Sequence, residues 1–171
     1  MNDLATIDQH NTVTLVRDLP GPIERVWAFL TDPKLLARWF SDGVVADHVG
    51  GEVRFDMGAE GRITAFEPPH VLEYTWNERE LSRGPILDTL VRWELAQTGN
   101  RVRLTLAHKR LSAAEAIAHG AGWHAFLDCL SASVDGREPP HLMERFAQLQ
   151  GEYNKRHSVA SKPQSLTSER S

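Results

Sequence analysis

Residues 89–108, TLVRWELAQTGNRVRLTLAH, hold the pattern that decides the fold. Thr89, Val91, Trp93 and Leu95 share one side of an extended segment, and Val102, Leu104, Leu106 and His108 share one side of the next. Side chains alternate across a strand, so each segment has an apolar face; Arg92 and Glu94, then Arg101 and Arg103, make the other face wet. Thr98, Gly99 and Asn100 supply turn chemistry between them, and the pair reads as an antiparallel hairpin.

Upstream the same period of two runs from about 44, broken at Gly50-Gly51, at Gly58 to Gly61, at Pro68-Pro69 and at Gly84-Pro85. Breaks this close together suit an antiparallel meander rather than parallel crossover units. TVTLVRDL at 12–19 adds a first strand with Val13, Leu15 and Arg17 on one face, for about seven strands in all. Two short helices separate it from the meander. Gly21 and Pro22 serve as N-cap and first helical position for Ile23, Val26, Trp27 and Leu30, and Asp32-Pro33 opens a second helix carrying Leu35, Leu36 and Trp39 and ending near Phe40.

Downstream, Ser112 with Glu115 forms a capping box, Gly120 and Gly122 interrupt the helix, and WHAFLDCLSASV resumes it. Trp123, Leu127, Leu130 and Val134 make an apolar stripe flanked by Phe126 and Cys129, to be laid on the dry face of the sheet. The helix ends at Gly136. After Pro139-Pro140, Leu142, Phe146, Leu149 and Tyr153 keep helical spacing despite Gly151, and their stripe must cover this domain or a second copy. The layout is therefore an extension over 1–11, a domain over 12–136, an additional helix within 137–157 and a Ser-rich frayed tail over 158–171.

Composition excludes several function classes. A net charge of -4 offers no excess cation for phosphates, so nucleic acid is not an expected partner. The start has neither a basic n-region nor an apolar h-region, and no run approaches the roughly 20 apolar residues that span a bilayer, so a cytoplasmic protein without a membrane partner is expected. Cys129 is the one cysteine, which rules out an intrachain disulfide, and its apolar helical setting predicts an inert thiol. The eight histidines form no ligand set: His119 and His124 are five apart, and His141 with Glu144 lacks further partners. No nucleophile elbow, phosphate loop or dinucleotide fingerprint is present. Neither a metal nor a cofactor is expected. Glu73 and Arg92 lie opposite Tyr74 and Trp93 by parity and are expected to pair on the wet face.

The order of strand, two short helices, meander and long helix resembles the helix-grip fold. The segments RDLPGPIERVWAFLTDPKLLARWF at 17–40, TLVRWELAQTGNRVRLTLAH at 89–108 and GWHAFLDCLSASVDG at 122–136 look like an AHSA1-like protein (activator of Hsp90 ATPase homologue 1-like), of the SRPBCC group in the START/Bet v1-like superfamily. The resemblance spans about 12–136. It implies an α+β fold in which a curved antiparallel sheet closes over a long C-terminal helix, around a cavity for a small hydrophobic or amphipathic molecule. On that basis the candidate lining is Trp39, Phe40, Phe55, Phe66, Tyr74, Trp76, Val91, Trp93, Leu106, His108, Trp123, Leu127 and Leu130; a solid core would use the same residues.

His108, in phase with Leu104 and Leu106, is either a polar contact for a ligand or a satisfied structural histidine; Tyr74 and His124 are further polar candidates, with solvent exposure an alternative for His124. Arg17 is either an anion anchor or an exposed residue of an edge strand. Three functions follow. The first is a non-enzymatic binder of lipids or other small hydrophobic molecules. The second is a stress-response module that binds an Hsp90-type chaperone. The third is a cavity enzyme of cyclase or hydrolase type, with His108 and Tyr74 as acid/base groups. Either a monomer or a homodimer is compatible with the apolar stripe of the last helix.

Overall fold

The computed structural model describes residues 3–82 and 84–160. In chain order its elements are β1 (Thr6–Ile7), β2 (Val13–Pro20), α1 (Ile23–Thr31), α2 (Pro33–Leu36), β3 (Gly43–Val45), β4 (Glu52–Phe55), β5 (Ala59–Glu67), β6 (Val71–Glu78), β7 (Ile86–Thr98), β8 (Arg101–Lys109), α3 (Ala113–Val134) and α4 (Leu142–Ala160). The strands form one antiparallel sheet in the order β1-β2-β8-β7-β6-β5-β4-β3. The hairpin at its centre has the expected register, with Val91 opposite His108 and Trp93 opposite Leu106. The strand beyond the seven anticipated is β1, two residues long and therefore without a period to read.

The dry face is continuous across β2, β8, β7 and β6: Val13, Leu15, Val102, Leu104, Leu106, Val91, Trp93, Leu72, Tyr74 and Trp76 are all buried. α3 lies across it, with Trp123, Leu127, Leu130 and Val134 buried. Each large side chain so removed from water contributes roughly 1.5–3 kcal/mol. At the start of α3 both capping-box bonds form, Glu115 N–H donating to Ser112 Oγ and Ser112 N–H to the Glu115 carboxylate. The wet face carries the expected pair, Arg92 Nη1 lying 3.2 Å from Glu73 Oε2 across β6 and β7.

Four local expectations are corrected. Pro22 is the N-cap of α1 rather than its first residue, and the Ile23 N–H is taken by Gln97 Oε1 from the end of β7 at 2.8 Å. The turn read over Gly58 to Gly61 closes at Gly58, and Gly61 lies inside β5, where the backbone of Thr75 passes too close for any side chain. Gly120 and Gly122 do not interrupt α3, which is one helix of 22 residues. A Cβ on Gly120 would stand 2.9 Å from the ring of Tyr153, so the glycine is a seat for α4 rather than a break. Finally, Arg17 is 5% exposed, not a solvated edge residue. Its guanidinium lies 3.8 Å from Asp128 on α3, and Asp128 also takes Arg145 Nε of α4 at 2.7 Å.

α4 packs on α3 through Leu142, Phe146, Leu149 and Tyr153, so the apolar stripe covers its own domain. The Tyr153 hydroxyl accepts from Ala5 N–H at 2.6 Å and lies 3.1 Å from His124 Nδ1, within hydrogen-bond distance, tying the N-terminal segment to both helices. Past Thr14 the outer edge of β2 is guarded by arginines: the Val16 carbonyl accepts from Arg17 and the Asp18 carbonyl from Arg101, both at 2.9 Å, which removes acceptors an added strand would need. Of the tail expected from 158, residues 158–160 continue α4 and the remainder lies outside the described residues. No helix among the described residues is long and apolar enough to cross a membrane.

Candidate functional site

A cleft of about 290 Å³ opens where the end of β6 and the β4–β5 turn meet α3 and α4. Trp76 and Glu78, two apart on β6, point to the same side of the strand; His119, Trp123 and Phe126 succeed one another at four and three residues along α3. Phe40 closes the floor, stacked on Trp123 at 5.5 Å between centroids and edge-on to Phe126 at 4.6 Å. Leu142, Met143 and Phe146 of α4 form the outer wall, and Met57 and Met143 stand exposed at the rim.

Of the thirteen lining candidates, the structure places Phe40, Trp76 and Trp123 on this cleft. Trp39, Phe55, Tyr74, Val91, Trp93, Leu106, Leu127 and Leu130 belong to the buried core cluster, and His108 is buried as well. Phe66 lies elsewhere, edge-on to Trp27 of α1. The polar atoms of the core aromatics are spent on one another. Trp93 Nε1 donates to the Tyr74 hydroxyl at 3.0 Å, Trp39 Nε1 to the Phe29 carbonyl at 2.8 Å, and burial pushes the Tyr74 hydroxyl far above its ordinary titration range.

His108 is likewise enclosed. Trp123 Nε1 donates to His108 Nδ1 at 3.0 Å, which fixes the hydrogen on Nε2; Nε2 donates to Thr89 Oγ1 at 2.9 Å, and Thr89 donates onward to the Trp76 carbonyl at 2.8 Å. Both ring nitrogens are engaged. Burial, reinforced by the charge of His119, holds the imidazole neutral well below its usual pKa. The third polar candidate, His124, is buried at 1% exposure and faces α4 rather than the sheet; burial, with Arg17 and Arg145 adding to it against Asp128, lowers its pKa to about 4. Burial also pushes the Cys129 thiol up, and its sulfur sits 3.6 Å from the Pro140 carbonyl.

The polar pair on the cleft wall is one the sequence pattern did not single out. His119 Nδ1 lies 2.9 Å from the Glu115 carbonyl, which only accepts, so that nitrogen carries hydrogen. Its Nε2 lies 3.0 Å from Glu78 Oε1, and the same oxygen receives the Trp76 indole N–H at 2.6 Å. Both side chains keep some exposure, 14% for His119 and 19% for Glu78. Among the described residues no three of His, Cys, Asp and Glu gather where they could hold a metal ion.

Comparison with known proteins places this architecture. The family model described as "Activator of Hsp90 ATPase homolog 1-like protein" matches residues 20–135. A search of curated proteins finds no match. Among solved structures, a Bordetella parapertussis protein determined by NMR is 30% identical over 91% of each chain, with a TM-score of 0.73. CalU16 from Micromonospora echinospora is 22% identical over 91% of this chain and 96% of its own, at 0.69. An HSP90 activator from Plasmodium falciparum is 23% identical over 60% of this chain and 74% of its own, at 0.52. At those identities the last two speak for the fold alone.

Proposed function

Since the chain belongs to the Activator of Hsp90 ATPase homolog 1-like family, we propose that it binds a small hydrophobic or amphipathic molecule in the cleft between α3, α4 and the end of β6. The observation that carries this reading is the cleft itself: a concave, aromatic-walled space with one polar pair and an open rim. Its volume is at the low end of ligand sites, which fits a molecule of one or two rings better than a long acyl chain. Acid–base work by His108 and Tyr74 finds no support, because their polar atoms are consumed inside the core.

A chaperone-binding module is the competing reading, drawn from the family's description and from the Plasmodium protein's name. The two separate under one substitution. Ala118 lines the cleft, and Ala118→Trp puts an indole into it while leaving His119 and Glu78 unsubstituted. Bound apolar fluorophore is expected to be lost in the variant while the thermal unfolding temperature holds within a few degrees. Equal binding by both proteins would rule out the cleft as the site.

A further inference from the structure

Resting on the reading of this cleft as a ligand site, we infer that Met57 and Met143 are its oxidisable gate: a hydroperoxide converts their thioethers to sulfoxides, and the cleft then gives up apolar ligand. The chain has three methionines, and one of them is Met1. The other two come from the β4–β5 turn and the first turn of α4, and both line this cleft at its rim. Both stand largely in water, Met57 at 49% exposure and Met143 at 64%. Methionine is among the residue types most often buried, and a surface turn or an exposed first helical turn is served as well by a polar side chain. A single exposed apolar residue calls for no account. Two thioethers on the rim of one cleft, whose wall holds the buried indoles of Trp76 and Trp123, set sulfur chemistry at the mouth a ligand uses.

The reaction needs no catalytic group. A methionine sulfur attacks the terminal oxygen of a hydroperoxide: the S–O bond forms as the O–O bond breaks, the proton on the transferred oxygen passes to the leaving one, and water or an alcohol departs. Sulfur is oxidised and the peroxide reduced, by one electron pair. Cys129, the one cysteine, is buried with its thiol pushed up by that burial, so its sulfur does not compete. The product side chain is polar and chiral, with a strong acceptor oxygen. Apolar ligand that closes over the rim strips water from that oxygen, a cost the thioether does not carry. A thioether against an aromatic ring is, by contrast, favourable. The reduced rim therefore holds a ring compound and the oxidised rim releases it.

The test titrates the neutral fluorophore N-phenyl-1-naphthylamine into the full chain before and after mild hydrogen peroxide, with the sites of oxidation read by peptide mass spectrometry. Oxidation at Met57 and Met143 is expected to weaken binding about tenfold or more, the usual cost of a polar group covered without a partner. Methionine sulfoxide reductases should restore the affinity, and bound fluorophore should slow oxidation at both positions. In the double variant Met57→Leu, Met143→Leu, peroxide should leave the dissociation constant where it started, whatever that value is. The reductase arm decides by itself if that variant fails to fold. The gate is refuted, and the cleft remains a ligand site, if the two methionines resist peroxide or if their full oxidation leaves binding unchanged. A loss of binding that the reductases do not reverse, or that the double variant shares, refutes it as well. If the fluorophore binds neither the reduced nor the oxidised protein, the container reading fails and the gate falls with it.

Discussion

Lowering the pH from 7.5 to 5 should drain stability through two histidines that the fold holds uncharged. His108 and His124 are buried, at 0% and 1% exposure, and both folded-state pKa values lie below the ordinary 6.5, well below for His108 and about 4 for His124. The sign follows directly. As pH falls through 6.5 the unfolded chain takes up protons that the folded chain refuses, so stability is full above that value and is lost toward the folded pKa. At pH 5 each histidine has cost about 2 kcal/mol, about 4 kcal/mol together. That is a large part of the roughly 5–15 kcal/mol by which domains are stable. The exposed carboxylates held below their ordinary value, Asp8 and Asp47, titrate beneath this window and do not confuse it.

Urea unfolding at half-unit pH steps reads the effect as a shift in midpoint at constant m-value. His108→Gln supplies the internal control: its amide can accept from Trp123 and donate to Thr89 but cannot titrate, so the loss between pH 7.5 and 5 should fall to about 2 kcal/mol whatever the variant's starting stability. A flat profile in the unsubstituted protein, or a slope that His108→Gln leaves unchanged, refutes the assignment.

The helix glycines should respond in opposite directions. Gly120→Ala drives a Cβ to 2.9 Å from the buried Tyr153 ring and should cost about 1–3 kcal/mol, whereas Gly151→Ala has nothing within 4 Å and should gain about 0.5–1 kcal/mol, both read by thermal unfolding. Stabilisation by Gly120→Ala would dismiss the seat for α4. Arg92→Ala breaks its ion pairs with Glu73 and Glu94 on the wet face, all three side chains being partly in water, and should lower the unfolding free energy read by urea titration by less than about 1 kcal/mol; a larger loss would show the pairs to be structural.

The sheet was legible because its strands are long and one-sided. On β7 and β8 the alternation from Thr89 to His108 places every dry residue correctly, and on β2 it puts Arg17 inward too, although the composition of an edge strand argues otherwise. Arg17 goes inside because Asp128 waits on α3, a partner 111 positions away that no local pattern announces. β1 is too short to carry a period, and the glycines misled for a common reason. Gly61 and Gly120 are there for what passes close by, the backbone of Thr75 and the ring of Tyr153, not for a turn or a break of their own chain.

That second misreading explains why the polar pair of the cleft went unseen. With α3 taken to resume only at 122, His119 falls outside the helix that carries Trp123. With α3 continuous through Gly120, His119 stands one turn before Trp123 on the same face. The strand gives the matching signal, since Glu78 follows Trp76 by two and must point to the same side despite the register shift there. Two spacings, four on the helix and two on the strand, thus bring an acid and a base beside two indoles whose hydrogens are already spent. Tyr153 links this back to the fold: by seating on Gly120 it holds α4 against α3, and α4 brings Leu142, Met143 and Phe146 to the cleft as its outer wall. Loosening that seat should therefore weaken ligand binding at a distance from every residue that touches the ligand.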